Sequence, residues 1–483
     1  MLFISVSGVR GIVGESLTAE VAIRYASAFA STLKSGAVVV SRDSRPSGEM
    51  LRHAVIAGLM ETGMTILDAG ILPTPTCGIA VRHHRAAGGI QITASHNPAP
   101  WNGLKLFNAD GAVLPSDSGA AVWECFNRNT LRRAPWHQIG QVQVPPDITP
   151  VHLEAVLNRV SVAAIASRRW RVFLDANGGA GGNLGRQLLE ELGCEVILHG
   201  GETNGHFLHP PEPTPEHLAD VAPWVVRNAA MIGFALDPDA DRLALIDEQG
   251  RCLSEELTLA LAVEYRLRED KGPVVINMST SRLVEEIAQR HHCPCYRVPV
   301  GEAHVVSRMR EVQATIGGEG NGGVIDPRVG WVRDPFVGIA YILALLTAEK
   351  KTLSEWVSQW PQYVMHKTRL PIARSGLEEA YHLLTRHFPH AHVDREDGLR
   401  LEAPNWWFHL RPSNTEPLVR LIVESSSETQ TQQVYQQVTE LLAPLRHHSA
   451  FQQEAGSLAC RRGLAGPAGG EVGGLGGGCE ARG

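Results

Sequence analysis

Three aspartates stand at alternate positions in the segment Asp237-Pro238-Asp239-Ala240-Asp241-Arg242. The apolar run 232–236 before it predicts a buried strand, so the carboxylates follow a strand end directly. Carboxylates this close repel one another unless a cation holds them together. Ligand sets made only of oxygen select Mg²⁺ or Ca²⁺ over zinc. Arg242 stands where an EF-hand has glycine, so the Asp triplet (Asp237, Asp239 and Asp241) predicts a different metal site. A solvated acidic loop is the less favoured alternative.

A serine follows another predicted strand, 89–92, in the segment Thr93-Ala94-Ser95-His96-Asn97-Pro98, here called the serine loop. An exposed hydroxyl in a charge-stabilised setting can act as a nucleophile. Serine, asparagine and proline are also ordinary turn residues, and composition alone favours that interpretation. The glycine-flanked serine elbow of hydrolases is absent, which argues against acyl transfer.

Two further polar segments follow predicted strands. Residues 317–323, the sugar loop, read Gly-Gly-Glu-Gly-Asn-Gly-Gly; Glu319 and Asn321 offer the acceptor and donor pair that suits sugar hydroxyls. Residues 411–417, the phosphate loop, read Arg-Pro-Ser-Asn-Thr-Glu-Pro. Arg411 followed by three short hydrogen-bonding side chains suits a dianionic phosphate. Taken singly, a glycine-rich loop and a polar turn between strands remain open alternatives for these two segments.

One other cluster has metal-ligating residue types, at His291-His292-Cys293-Pro294-Cys295. It has no second half at zinc-site spacing, and it leads into a predicted strand. We therefore expect this cluster to be structural.

Composition narrows the class of protein. The 483 residues include 43% hydrophobic and 20% charged residues, with a net charge of −7, as in globular proteins. Without a long basic run, nucleic acid is not an expected partner. No segment reaches the roughly 20 apolar residues of a membrane span. The eight cysteines lack the density of a disulfide scaffold, so we expect a reducing cytoplasm.

The order of predicted elements indicates several domains. Strands and helices alternate three times, and a change to a smaller α+β pattern follows near residue 365. We expect α/β domains with mixed sheets over residues 1–145, 150–250 and 251–365, then an α+β domain over 366–446. The glycine-rich stretch 447–483 is expected to be disordered. In open α/β sheets, ligands bind beyond the carboxyl ends of strands, where the polar segments stand.

In this order the four polar segments resemble the α-D-phosphohexomutase family, the phosphoglucomutases, phosphomannomutases and phosphoglucosamine mutases. The resemblance spans about residues 3–445 and includes three more segments: Ser7-Gly8-Val9-Arg10-Gly11, residues 42–48 and Asn102-Gly103-Leu104-Lys105. It implies four domains around a central cleft. It also implies an isomerase that moves a phosphoryl group between two positions of a hexose phosphate.

The resemblance assigns a role to each site residue. Ser95 is the phosphoserine, and its phosphate holds Mg²⁺ together with the Asp triplet. Arg10, Lys105 and Arg242 line the transfer site, with Lys105 the candidate for proton transfer and His96 positioning the phosphate. Glu319 and Asn321 contact the sugar. The phosphate that is not transferred is held by Arg411, Ser413, Asn414 and Thr415. A hexose bisphosphate is the expected activator, and a monomer or homodimer is expected.

One departure from the family concerns the sugar loop. Many members end this loop in Gly-His, whereas Gly322-Gly323 stands here, as in the archaeal-type branch of the family. In this chain no histidine stands at that position to act as an acid or a base. Glucosamine phosphate is the first expected substrate, ahead of mannose or glucose phosphate. A metal-dependent sugar phosphatase and a non-catalytic sugar-phosphate sensor are the competing interpretations.

Overall fold

The structure is a computed structural model that describes residues 2–5, 8–412 and 418–445. The sequence predictions for Ser413, Asn414, Thr415 and the glycine-rich tail lie outside these residues. Within them the chain forms three successive α/β domains and one antiparallel α+β domain, each around its own sheet. The predicted fold class, three α/β domains with mixed sheets and a smaller α+β domain, is confirmed.

Domain I contains a seven-stranded mixed sheet in the order β1-β2-β6-β5-β3-β4-β7. Its strands are β1 Phe3–Ser5, β2 Gly8–Ile12, β3 Ala37–Arg42, β4 Thr65–Ile71, β5 Gly88–Ile92, β6 Trp101–Asn108 and β7 Val142–Gln143; its helices are α1 Ala19–Thr32, α2 Ser47–Met60, α3 Thr74–His83 and α4 Ser116–Arg128. The central strands β3, β4 and β5 are parallel, and β6 turns back antiparallel to β5. This reversal places the serine loop between the end of β5 and the start of β6.

Domains II and III repeat one plan of four strands. Each has three parallel strands and an antiparallel edge strand, in the orders β11-β10-β8-β9 and β13-β12-β14-β15. Domain II contains α5 Thr149–Leu157, α6 Val162–Ser167, β8 Arg171–Asp175, α7 Gly182–Glu191, β9 Glu195–His199, α8 Pro223–Arg227, β10 Ile232–Leu236 and β11 Leu243–Ile246. Domain III contains α9 Glu256–Glu269, β12 Val274–Asn277, α10 Arg282–Arg290, β13 Cys295–Val298, α11 Glu302–Glu311, β14 Ile316–Glu319, β15 Gly323–Ile325, α12 Pro335–Glu349 and α13 Leu353–Val357.

Domain IV is a five-stranded antiparallel sheet in the order β16-β20-β19-β18-β17. Its elements are β16 Val364–Leu370, α14 Leu377–His387, β17 His392–Asp394, β18 Leu399–Ala403, β19 Trp406–Pro412, β20 Val419–Ser425 and α15 Glu428–Leu441. One face of the sheet packs with both helices in a separate apolar core. Because strand side chains alternate, the other face carries polar residues and faces domain III.

The packing joins the first three domains and leaves the fourth apart. One apolar cluster contains residues of domains I, II and III, whereas domain IV has its own cluster. Helix α12 lies at the centre of the shared cluster and is apolar on nearly all sides, as a fully buried helix should be. Domain IV meets domain III through polar contacts such as Ser279 Oγ with His409 Nδ1, 2.9 Å apart.

Three smaller points concern the remaining sequence predictions. The cluster at 291–295 connects α10 to the first residue of β13, and His291 Nε2 lies 3.2 Å from a carboxylate oxygen of Glu264, 27 residues earlier in the chain. No helix in the described part of the chain is long and apolar enough to cross a membrane. The six cysteines within the described ranges are free thiols.

Candidate active site

The serine loop bends sharply at Ser95. Its φ of 50° lies in the left-handed region, which is uncommon for a residue with a Cβ and costs conformational energy. The bend is held locally, because the Ser95 amide donates to Thr93 Oγ1 at 2.8 Å. The hydroxyl of Ser95 is thereby turned toward domain II, where Oγ donates to Asp237 Oδ2 at 2.9 Å.

A buried arginine fixes the backbone of the serine loop. Arg45 Nη2 donates to the carbonyl oxygens of Ser95 and Asn97, each at 2.6 Å, and Nη1 donates to that of Pro98 at 3.0 Å. The guanidinium is neutralised by Asp43, whose Oδ2 lies 3.1 Å from Arg45 Nε. The same oxygen accepts from Thr93 Oγ1 at 2.7 Å. Asp43 and Arg45, which lie just after β3, therefore set the position of the Ser95 hydroxyl.

The Asp triplet curls into a set of converging carboxylates. All three side chains are fully buried, and one oxygen from each lies within 4.8 Å of the others. A left-handed Ala240, with a φ of 49°, closes the loop between β10 and β11. The loop is braced from inside, because Asp237 Oδ1 accepts from the amides of Asp241 and Arg242 at 3.0 Å.

The carboxylates fit a hard divalent cation. Thr74 Oγ1 donates to Asp239 Oδ2, and Lys105 Nζ donates to Asp241 Oδ2, both at 2.6 Å. The other oxygen of each, Asp239 Oδ1 and Asp241 Oδ1, is buried without a hydrogen-bond partner. Buried polar atoms left in this way are costly, and a cation bound by oxygen ligands would satisfy them. In the described ranges this is the one group of three or more acidic, histidine or cysteine side chains close enough to share a metal ion.

Asp237 and Asp241 differ in the direction of their pKa shifts. Burial, with Asp239 and Asp241 adding to it, raises the pKa of Asp237 well above its usual range. Burial would also raise the pKa of Asp241, but Arg333 and Lys105 outweigh it and hold that pKa below the usual range. Burial would lower the pKa of Lys105, yet Asp241 and Asp239 raise it. Lys105 therefore stays an ammonium group beside Asp241.

Two arginines and the histidine surround the serine. Arg10 Nη1 donates to Asn97 Oδ1 at 3.0 Å, and Arg242 Nη1 donates to Glu212 Oε1 at 3.2 Å. His96 Nδ1 lies 3.4 Å from Ser95 Oγ. Burial first, then Arg242 and Arg10, hold the pKa of His96 well below its usual range, so its imidazole is neutral at neutral pH. Positive charge near Ser95 is therefore supplied by Arg10, Lys105 and Arg242 and not by His96.

The sugar loop lies next to the triplet, at the end of β14. Glu319 Oε1 accepts from Asn277 Nδ2 at 2.9 Å and from the Gly301 amide at 3.1 Å. Arg333, 8% exposed, holds the other oxygen of Glu319 and lowers its pKa against the effect of burial. The amide oxygen of Asn321 is buried without a partner. A fixed carboxylate beside an unsatisfied amide suits hydroxyl groups of a sugar.

Three arginines stand side by side in domain IV. Arg369 on β16 pairs with Arg420 on β20, and Arg420 pairs with Arg411 on β19. This arginine row offers neighbouring guanidinium groups, which suit phosphate binding through charge-assisted hydrogen bonds. Arg369 and Arg420 line a cleft of about 610 Å³ between domains II, III and IV, whose far wall includes Glu212 and Glu255.

The four domains match one family in order. The matches are to the phosphoglucomutase/phosphomannomutase α/β/α domain I over residues 3–133, domain II over 150–250, domain III over 254–364 and the C-terminal domain over 391–441. The chain belongs to the phosphoglucomutase/phosphomannomutase family. This assignment confirms the resemblance to the α-D-phosphohexomutases.

Relatives cover nearly the whole chain. A phosphoglucomutase/phosphomannomutase of Thermococcus kodakarensis is 37% identical over 444 residues, 90% of this chain and 97% of that protein. A probable phosphoglucosamine mutase of Methanopyrus kandleri is 33% identical, over 91% and 97%. A crystal structure of a phosphoglucomutase/phosphomannomutase family protein from Burkholderia thailandensis superposes with a TM-score of 0.81 at 26% identity, over 92% of this chain and 98% of that one.

The structure brings most of the predicted family site together. Ser95, His96, Lys105, Arg10, Arg242 and the Asp triplet form one connected cluster, and Glu319 joins it through Arg333. Sequence reasoning assigned no role to Asp43, Arg45 or Arg333. The first two lie in the segment 42–48 that carries the family resemblance. No motif in the sequence indicates the role of Arg333, because its partners Asp241 and Glu319 lie 92 and 14 residues away along the chain.

Proposed function

We propose that this family member is a Mg²⁺-dependent phosphohexomutase that interconverts hexose 6-phosphates and hexose 1-phosphates through a phosphoserine at Ser95. The observation that carries the proposal is the contact between Ser95 Oγ and Asp237 Oδ2, 2.9 Å long. It joins the only predicted nucleophile to the carboxylates that fit the cation. Phosphoryl transfer depends mainly on positioning and charge stabilisation, and this site supplies both.

The proposed roles follow from the contacts. The Asp triplet and the serine phosphate would hold Mg²⁺, which would supply positive charge to stabilise the transferred group. Arg10, Arg242 and the ammonium of Lys105 add fixed positive charge. In the first half-reaction the Ser95 Oγ–P bond breaks and a P–O bond forms to the free sugar hydroxyl. The hydroxyl proton ends on Ser95 Oγ, with Lys105 as the relay. The second half-reaction returns the other phosphate of the bisphosphorylated sugar to Ser95.

The rest of the cleft would hold the sugar in both orientations. Glu319 and Asn321 would bind hydroxyls, and the phosphate loop, with Arg411 and the adjoining arginine row, would bind the phosphate that is not transferred. A bisphosphorylated hexose would serve as activator, because it can phosphorylate Ser95. The Ser95 side chain is fully buried, and a site that keeps water from a phosphoserine would favour transfer to sugar over hydrolysis. A sugar phosphatase is therefore the weaker alternative.

We propose glucosamine 6-phosphate as the preferred substrate, in line with the name of the Methanopyrus relative. Mannose and glucose phosphates are the second candidates, supported by the name of the Thermococcus relative. The test is conversion of the three hexose 6-phosphates to 1-phosphates with Mg²⁺ and a hexose bisphosphate. Absence of turnover on all three would refute the proposal, and release of inorganic phosphate without isomerisation would favour the phosphatase. Whether the chain is a monomer or a homodimer stays a prediction.

A further inference from the structure

A single guanidinium joins the predicted metal site to the predicted sugar site. Arg333 lies between β15 and α12; its Nη2 donates to Asp241 Oδ2 at 2.6 Å and its Nη1 donates to Glu319 Oε2 at 2.8 Å. Its backbone amide donates to Glu302 Oε1 at 2.9 Å, and its Nε lies 3.5 Å from Glu302 Oε2. The planar fork of arginine fixes the relative orientation of the two carboxylates it binds.

The glycine that departs from the family pattern makes room for this arginine. A Cβ on Gly323 would lie 2.3 Å from Arg333 Cδ and 2.9 Å from Arg333 Cγ. Contacts so short are not tolerated, so a side chain at position 323 would displace Arg333. The space next to Gly323 is therefore filled by an arginine from another segment of domain III.

The arginine also decides which oxygen of Asp241 can face a cation. Asp241 Oδ2 is held by both Lys105 and Arg333, at 2.6 Å each. Asp241 Oδ1 is buried and has no hydrogen-bond partner. With Oδ2 anchored in this way, Oδ1 is the oxygen of Asp241 that is left for a cation. Ligand orientation of this kind commonly changes metal affinity by about 10- to 100-fold.

The guanidinium is needed for charge balance as well. Three carboxylates meet it in a buried site, and they raise the pKa of Arg333 well above its usual range although burial opposes this. A substitution that removes the charge leaves Asp241 and Glu319 without their shared partner. A change in the charge or position of one of these carboxylates therefore alters the environment of the other through Arg333.

We propose that Arg333 is a positioning residue that couples cation binding at the Asp triplet to sugar binding at Glu319. The inference rests on the proposed function in one respect, namely that the ligand at Glu319 is a hexose phosphate. Coupling between two sites is reciprocal. The cation should therefore strengthen sugar-phosphate binding by the same factor by which the sugar phosphate strengthens cation binding.

The test measures this factor by calorimetry on the full-length, dephosphorylated protein. Mg²⁺ is titrated with and without saturating glucosamine 6-phosphate, mannose 6-phosphate or glucose 6-phosphate. We expect the unsubstituted protein to bind Mg²⁺ about tenfold more tightly with a bound hexose phosphate, within the range typical of linked sites. In Arg333→Gln, Mg²⁺ and the hexose phosphate should each still bind, but more weakly. The ratio of the Mg²⁺ Kd without hexose phosphate to that with it should then be near one.

Two further variants test whether the change in the ratio is specific to the position of Arg333. Gly323→Ala keeps the arginine but displaces it, and it should reduce the ratio in the same direction. Arg328→Gln is the matched control, because Arg328 lies in the same segment and pairs with Asp326; its ratio should equal that of the unsubstituted protein. A purely structural role for Arg333 would weaken both ligands and keep the ratio, and that result would overturn the inference while leaving the proposed function intact. Failure of the unsubstituted protein to bind any of the three hexose phosphates would overturn both.

Discussion

Ser95 Oγ and Asp237 Oδ2 lie 2.9 Å apart across the boundary between domains I and II. Lys105 to Asp241 and Thr74 to Asp239 are further contacts between these domains at the site. The nucleophile and the predicted metal ligands are thus positioned by two different sheets that pack through a shared apolar core. Their spacing depends on domain packing more than on either loop alone.

The first prediction concerns the nucleophile. Ser95→Ala should lower the mutase rate by a factor on the order of 10⁴ or more, because removal of a covalent nucleophile eliminates the main reaction path. The urea midpoint of unfolding should change little, since the hydroxyl makes few contacts beyond Asp237. Intact mass should show one phosphate on the active protein and none on the variant. Active protein without phosphate on Ser95 would contradict the role assigned to it.

The second prediction concerns the cation. A ligand that binds only the folded state stabilises it by about 2.7 kcal/mol at roughly 100 times its Kd. Mg²⁺ should therefore raise the free energy of unfolding, measured in urea, and a chelator should abolish turnover reversibly. Asp239→Asn should remove both the stabilisation by Mg²⁺ and the turnover that depends on Mg²⁺. The reason is that Asp239 Oδ1, which has no hydrogen-bond partner, is no longer part of an anionic ligand.

The exposed Asp220 provides the control for that substitution. Asp220→Asn removes one negative charge from domain II at a surface position, so the response to Mg²⁺ should be unchanged. An Asp239→Asn protein that is still stabilised by Mg²⁺ to the full extent would argue against the Asp triplet as the metal site.

The third prediction concerns the arginine row of domain IV. Arg420→Gln should raise the KM for the sugar phosphate about tenfold, the loss of roughly one charge-assisted hydrogen bond, and change kcat much less. Initial rates at varied substrate concentration separate the two constants. Arg386→Gln is the control, because Arg386 is exposed in the last turn of α14, on the other side of the sheet. Equal effects of both substitutions would mean that only net charge matters.

The fourth prediction concerns the support of the serine loop. Arg45 is 1% exposed and donates to three carbonyl oxygens while paired with Asp43. Breaking a buried ion pair from one side typically costs about 3–5 kcal/mol. Arg45→Met should therefore lower the free energy of unfolding by about this amount and reduce kcat as well. Full activity and stability in this variant would contradict the role of Arg45 in positioning Ser95.

The sequence predicted the parts of the site that form continuous segments. The Asp triplet was recognisable because three carboxylates directly follow a buried strand, and the serine loop because it accompanies that triplet. Arg333 was not recognisable, since a lone arginine gains meaning only through contacts with Asp241 and Glu319 that the fold creates. The same holds for Arg369 and Arg420, which are brought beside Arg411 by strand register alone.

Two helices that were not predicted, α12 and α9, share a physical cause. Helix α12, Pro335–Glu349, is apolar on nearly all sides, so it lacks the amphipathic period that indicates a helix. Helix α9, Glu256–Glu269, is buried along most of its length, with the same effect. Both lie in the core shared by domains I to III. The periodicity of a sequence indicates surface helices well, and it says less about helices enclosed by several domains.

The last prediction concerns pH and a buried pair in domain II. Asp175 Oδ2 lies 2.7 Å from His209 Nε2, and Asp175 Oδ1 lies 3.0 Å from His199 Nδ1. Burial would raise the pKa of Asp175, but its bonds to His199 and His209 lower it. Burial would lower the pKa of His209, but Asp175 raises it. These shifts favour the ionised form of the pair, a carboxylate with an imidazolium, over the neutral form.

The direction of the pH effect follows from these shifts. The contribution of His209 is fully present below its unfolded pKa of about 6.5 and is lost as the pH rises through its raised folded pKa. The contribution of Asp175 is present above its unfolded pKa of about 3.9 and is lost as the pH falls through its lowered folded pKa. Unfolding in urea at pH 6 and pH 8.5 gives a stability difference (pH 6 minus pH 8.5) to which His209 contributes positively, whereas His96 and His409, whose pKa values are lowered, contribute in the opposite direction. In His209→Gln this difference should decrease, whereas in the control His382→Gln, at an exposed site on α14, it should persist. An unchanged difference in His209→Gln would mean that His209 is neutral in the folded protein.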